Sequence, residues 1–393
     1  MPDARLEETA ALMNAFAERT GLVAERPPRR YLWTDAFAVC NYLGLARTTG
    51  NQDYTERALR LIEQVHRTLG QHRDDDRRTG WISGLAGDDG ERHPTRGGLR
   101  IGKQLPERGP HEPYDNRLEW DRDGQYFHYL TKWMYALDQV TRTTRQPRFN
   151  TWARELAETA FRAFTYQPSA RESRRMYWKM SIDLSRAQVP SMGQHDPLDG
   201  YVSSLQLQAT AAALPQPDAG PDLEDDTRQY ALLMQRSEWT TADPLGLGGL
   251  LVDAWRVQQL MLQGAVPEAQ LPERLLEAAL TGLQHYARGS EPDQPAEYRL
   301  AFRELGLAIG LHAVERMQQA TDQTARGSTA SPRLRTLLDA LMQYVPLRDG
   351  IVTFWRNPEH RNATTWIEHR DINEVMLATS LAPDGFLMLL PPD

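Results

Sequence analysis

EWDRDGQYFHYLTKWMYALD, residues Glu119–Asp138, is the stretch whose reading decides the fold. Its first part is polar and carries Trp120, Asp121, Asp123 and His128. Tyr126, Tyr129, Leu130, Trp133, Met134 and Leu137 then recur at i, i+3, i+4, i+7, i+8 and i+11, which is one face of an α-helix. Phe127 and Tyr135 lie off that face, so this helix is contacted on more than one side. The building unit is an acidic, aromatic, histidine-bearing joint followed by an apolar helix.

The unit recurs along the chain. Tyr31–Asp35 leads into a helix over 36–48, Gly193–Tyr201 into 198–213, and Thr241–Gly246 into 245–262. Pro295–Tyr298 opens 298–319, Trp366–Asp371 opens 371–381, and the Glu119 stretch itself opens 124–143. Between them lie amphipathic helices with charges on one face, at 5–20, 53–69, 148–165, 222–236, 271–288 and 332–344. No run of alternating strand residues stands out. Gly246, Gly248, Gly249, Gly306 and Gly310 fall in or at the apolar helices, where glycine costs about 1 kcal/mol relative to alanine and so marks close packing or caps. The Gly- and Pro-rich residues 71–122 read as an ordered excursion over one end of the fold, and 166–196 as a second irregular stretch. Pro215–Pro221 and Gly327–Pro332 read as loops. Buried helices alternating with half-buried ones predict an all-α fold. It is an (α/α)6 toroid of six helical hairpins in one domain, 1–393, with the first helix as outer partner of the last inner one.

Composition narrows the function classes. Charged residues make up 25 % of the 393, with acids and bases interspersed and a net charge of −8, so no basic face for nucleic acid is present. The single cysteine, Cys40, sits in an apolar run and reads as a buried thiol. The N-terminal MPDARLEETA has no apolar signal core, and no apolar run spans a bilayer, so a cytoplasmic protein without membrane partners is expected.

In a toroid all inner helices point the same way, so the joints before them meet at one mouth. That places Asp199, Asp123, Asp196 and Glu368 together as candidate catalytic carboxyls, with His195, His369 and His128 as candidate proton carriers. Trp33, Asp35, Trp81, Trp120, Tyr126, Trp178, Lys179, Arg186, Trp366 and Arg370 are the candidate substrate contacts. Aromatic rings beside carboxylates suit a sugar, whose C–H faces stack on rings while its hydroxyls bond to acids. The competing reading of Asp35, Asp123, Asp199, Asp243 and Asp371 is a helix cap. For the tryptophans it is core packing, and for Lys179, Arg186 and Arg370 an ordinary ion pair. The histidines lack a metal-ligand spacing such as HExxH, so neither metal nor cofactor is expected.

The strings RYLWTDAFAVCNYLGL, DRDGQYFHYLTKW, GQHDPLDGY and WIEHRDINE, set in alternating helices, resemble the six-hairpin glycosidase superfamily, which includes the N-acylglucosamine 2-epimerases. The resemblance is one of architecture, because the strings do not align with a catalytic signature of that group. It implies a small carbohydrate substrate. The first expectation is glycoside hydrolysis, with Asp199 as acid coupled across the mouth to Asp123 as base, and with Asp196 and Glu368 in reserve. The second is a sugar epimerase or isomerase that moves a proton with two of His128, His195 and His369. The third is a toroid that binds a sugar or peptide without turning it over.

Overall fold

The computed structural model describes residues 4–169, 172–214, 220–235, 237–266, 268–289, 293–324 and 331–391. Residues 170–171 of the second irregular stretch, 215–219 of the Pro215–Pro221 loop and 327–330 of the Gly327–Pro332 loop lie outside them. In chain order the helices are α1 (Ala4–Arg19), α2 (Leu32–Thr49), α3 (Asp53–Leu69), α4 (Gly87–Arg92), α5 (Asn116–Asp121), α6 (Phe127–Thr144), α7 (Pro147–Phe164), α8 (Asp196–Ala213) and α9 (Glu224–Met234). They continue with α10 (Pro244–Leu262), α11 (Leu271–Arg288), α12 (Ala301–Thr324), α13 (Pro332–Met342), α14 (Val345–Arg356), α15 (Thr364–Glu368), α16 (Arg370–Leu381) and α17 (Asp384–Leu387). The chain is 65 % helical, and the strands among the described residues are only two or three residues long, so the fold is all-α, as read from the sequence.

The chain divides into two compact units, one of Met1–Phe16, Arg47–Thr49 and Glu238–Leu389, the other of Ala17–Ala46, Gly50–Ser237 and Leu390–Asp393. In the second unit α2 is buried almost throughout, whereas α3 buries only Ala58, Leu61, Ile62, Val65, His66 and Leu69, a single helical face. Helices α6 and α8 of this unit run parallel. Lys132 of α6 bonds Asp199 of α8 at 3.1 Å, and two turns further along both helices Asp138 accepts from Gln206 at 2.7 Å. Tyr31, just before α2, meets Tyr129 in the first turn of α6, hydroxyl to hydroxyl at 2.7 Å. The joints before α2, α6 and α8 therefore share one end of this unit.

The other unit repeats the device. Along α10 and α12, Gly248 abuts Gly306, and further along Gln258 bonds Thr321 at 3.2 Å. The Phe302 N–H of α12 donates to Asn373 of α16 at 3.0 Å, and Ser380 later in α16 donates to the Leu305 carbonyl at 3.3 Å. Glycine is what lets α10 and α12 touch, because a Cβ on Gly248 would sit 2.1 Å from the Gly306 carbonyl oxygen. Gly248→Val is thus expected to cost about 3 kcal/mol, the upper end of overpacking. Gly249→Ala, with nothing within 4 Å, should be neutral or stabilise by up to about 1 kcal/mol. Urea denaturation of the two variants checks this, and equal effects would remove the close-approach account.

Every long helix expected from the sequence has a counterpart. The differences have physical causes. Helix α2 starts at Leu32, so most of the Tyr31–Asp35 joint lies inside it. Helix α14 was not expected; Pro346 stands in its first turn, where a missing N–H costs nothing. The irregular stretches contain strands. β1 (Gln125–Tyr126) pairs antiparallel with β4 (Lys179–Met180), which pairs with β5 (Ala187–Val189), and β2 (Thr165–Tyr166) pairs with β3 (Arg175–Met176). The 71–122 excursion is ordered. Buried Gln125 ties it down by donating to the Gly97 and Ile182 carbonyls and accepting from the Leu99 N–H. Gly98, at φ +72°, passes so close to that amide that a side chain would not fit. Among the described residues no helix is long and apolar enough to cross a membrane.

Candidate functional site

The β1–β4 pairing builds the site. Its register sets Tyr126 opposite Lys179, which carries Trp178 to the start of α6 although 50 residues separate it from His128. Trp120, Tyr126, Trp178, His128 and Tyr129 then form one aromatic wall. Trp120 meets Trp178 edge-on at 4.8 Å between centroids, Tyr126 lies 5.3 Å from His128 and 5.2 Å from Tyr129, and Tyr31 closes on Tyr129 at 5.6 Å. Trp120 is 45 % exposed, while Trp178 and His128 are half-buried, so the wall is open to a ligand.

The polar groups on this wall are tuned by burial. The apolar surroundings pull the His128 pKa down to about 4, with Asp199 opposing and Lys132 and Lys103 reinforcing. His128 is therefore neutral at pH 7. The Trp178 indole N–H donates to His128 Nδ1 at 3.3 Å, so the ring proton sits on Nε2. Burial, with Asp123 reinforcing, pushes the Tyr31 hydroxyl up to about 12 although its bond to Tyr129 opposes.

At α8, Asp199 pairs with Lys132, and Asp196 lies buried with its Oδ2 accepting the Gly193 N–H at 3.1 Å. His195, not Asp196, is the N-cap residue of α8. Desolvation and then the Asp199 charge push the Asp196 pKa up to about 8. The carboxylate coupled to Asp199 is thus Asp196 on its own helical turn, not Asp123 as expected. Because the folded chain holds this proton between the unfolded value of 3.8 and about 8, stability should fall as pH rises through that window. Asp196→Asn is expected to flatten that decline, and melting curves from pH 5 to pH 9 measure it. An unchanged slope would deny Asp196 the proton.

Several expected site residues are held in structural contacts. Asp123 is fully buried, and its carboxylate accepts from the Gly102 and Lys103 N–H groups and from Arg100 and Arg73 at 3.0–3.3 Å, which leaves it no freedom as a base. Lys179 is fully buried and spends its three protons on the Glu119 carbonyl, the Glu119 carboxylate and the Arg122 carbonyl. Asp35 lies in the first turn of α2, accepts the Tyr31 N–H at 2.9 Å and faces Arg30 at 3.5 Å. Trp33 packs on Phe37, and Trp81 is buried against Gly90. Arg186 is held on the Arg108 carbonyl. In the other unit Trp366 is buried and stacks on Trp355, so it is core and not a platform. There Glu368, His369 and Arg370 are exposed, with Arg370 paired to Glu374 at 2.8 Å and His369 edge-on to Phe302 at 5.5 Å.

Of the expected residues, the structure gathers Trp120, Tyr126, His128, Trp178 and Asp199 beside the α6 entry. Sequence reasoning passes over Tyr31, Lys103, Tyr129 and Lys132, which share that place. The one signal for the two lysines is rarity, because lysine occurs only at Lys103, Lys132 and Lys179. Among the described residues no group of three or more His, Cys, Asp or Glu side chains converges as a metal cage would require.

No family model matches the sequence, and no curated protein matches it. Among solved structures the chain is similar to a sugar epimerase from a ruminal bacterium, at 9 % identity over 87 % of this chain and 86 % of that one, with a TM-score of 0.47. It is also similar to the cellobiose 2-epimerase of Bacillus thermoamylovorans B4167, at 9 % identity over 87 % of each chain and a TM-score of 0.45. A third is the cellobiose 2-epimerase of Spirochaeta thermophila DSM 6192, at 11 % identity over 96 % of this chain and 98 % of that one, with a TM-score of 0.46.

Proposed function

We propose that the protein is a carbohydrate-active enzyme that epimerises or isomerises a reducing sugar at the α6 entry. The observation that carries this reading is His128, a neutral histidine set in an open aromatic wall. The rings offer stacking faces for sugar C–H groups. The His128 Nε2–H donates to the open-chain carbonyl oxygen, the role a neutral imidazole fills best. His195, half-buried at the start of the parallel helix α8, takes the proton from the neighbouring carbon. The resulting enediolate takes a proton from water on the opposite face, while His195 gives the abstracted proton back to solvent, which completes epimerisation with no change in redox state. Hydrolysis has less support. It needs two free carboxyl groups flanking the bond, and in this unit Asp123 is fully occupied while Asp196 is buried.

The test is to incubate the protein with a panel of reducing mono- and disaccharides in D2O and follow them by NMR. Deuterium entering the carbon beside the carbonyl, without cleavage, is expected. A new reducing end would restore the hydrolase reading. Binding with neither change would make the protein a sugar binder.

A further inference from the structure

We infer that the cleft takes a sugar bearing an anionic group, a carboxylate or a phosphate, and that Lys103 binds that charge. This deepens the carbohydrate reading and rests on it.

Lysine appears only at Lys103, Lys132 and Lys179, although Lys and Arg together number 45. All three gather at the aromatic wall. Lys103 and Lys179 place their ammonium groups 5.7 and 5.5 Å from the centre of the same Tyr126 ring, and Lys132 lies one helical turn beyond His128. Two of them are neutralised, Lys132 by Asp199 and Lys179 by Glu119. Lys103 is not. Among the described residues its Nζ has neither a hydrogen-bond acceptor nor a carboxylate within ion-pair distance. The nearby acids are spent, since Asp123 holds Arg73 and Arg100 and Glu119 also holds Arg108. Asp121, exposed at the end of α5, acts on Lys103 only at longer range.

A half-buried ammonium without a counter-ion is costly. The strain is visible in its titration, where burial and then the Lys179 charge pull the pKa down to about 8. A carboxylate or phosphate on the ligand supplies the missing partner through charge-assisted bonds. A compact, rotatable ammonium suits either group as a point charge. A neutral sugar would leave Lys103 both desolvated and unpaired.

The experiment is calorimetric titration of the full chain with glucose, glucuronate, glucose 6-phosphate and inorganic phosphate at 50 and 500 mM salt. At least one charged sugar is expected to bind about tenfold or more tighter than glucose, with the advantage shrinking at high salt. Comparing the glucuronate and glucose 6-phosphate arms tells carboxylate from phosphate. Lys103→Gln should bring the charged sugar to the affinity of glucose and leave the melting temperature equal or higher, because the unpaired charge is gone, while Lys103→Arg keeps part of the preference. Equal affinity for charged and neutral sugars, or a preference that survives Lys103→Gln, overturns the inference. Lys103-dependent binding of phosphate with no sugar bound would keep the anion site and sink the carbohydrate reading. Silence from all four probes overturns both.

Discussion

His128→Gln is expected to lower turnover by about 100- to 10,000-fold, the range lost with a positioned acid–base group, and to leave the melting temperature unchanged. The effect follows from what the ring alone supplies. His128 is half-buried in the wall, neutral at pH 7, and fixed in one tautomer by the Trp178 indole. Glutamine keeps the bulk, but its amide is too weak an acid to pass a proton to the carbonyl oxygen as the ring Nε2–H does, and it is not held in place by the Trp178 indole. The deuterium-exchange rate on the sugar found active is the readout. Near-wild-type exchange would remove His128 from the chemistry. The same loss with Trp178→Phe, which keeps the stacking face but drops the indole N–H, would show that the tautomer matters.

Asp123→Ala is expected to cost about 3–5 kcal/mol of folding stability, the penalty for removing one partner of a buried ion pair. The Arg73 and Arg100 side chains are only 13 % and 12 % exposed, and both converge on a carboxylate with no exposure at all. Two backbone N–H groups of the excursion lose their acceptor in the same change. Urea denaturation gives the number. A general base would behave in the opposite way, with turnover lost and stability changed by less than about 1 kcal/mol. That second pattern would return Asp123 to the catalytic set.

These two residues also mark what a sequence can and cannot disclose. The helix carrying His128 was legible because a 3.6-residue apolar period over 18 residues is a local signal. The place of His128 at a helix entry followed from the same signal. The role of Asp123 was not legible, because its partners Arg73 and Arg100 come from 50 and 23 residues away through a loop without periodicity. Trp178 reached the wall through a two-residue strand, far too short for alternation to register. Tryptophans 81, 120, 178 and 366 look alike as loop residues. Only packing separates buried Trp81 and Trp366 from half-exposed Trp120 and half-buried Trp178. The close approach of α10 and α12 was announced by Gly248 and Gly306, since glycine inside a helix is tolerated only for a reason.

The shared entry end of α2, α6 and α8 has a consequence for the field at the cleft. Each helix turns its partial positive end, about half an elementary charge, toward the shared joints. Asp35 offsets that end in α2, and Asp196 and Asp199 stand in the first turn of α8. Helix α6 has no acid in its first turn and no side-chain cap. Apart from the Phe127 N–H, which the Trp178 carbonyl accepts, its first-turn amide dipoles lie behind His128, where they disfavour an imidazolium and favour an oxyanion. A sugar enediolate formed beside that ring would meet a potential set by the backbone, which no side-chain replacement can erase. A residual rate above that in water should therefore outlast the loss of His128.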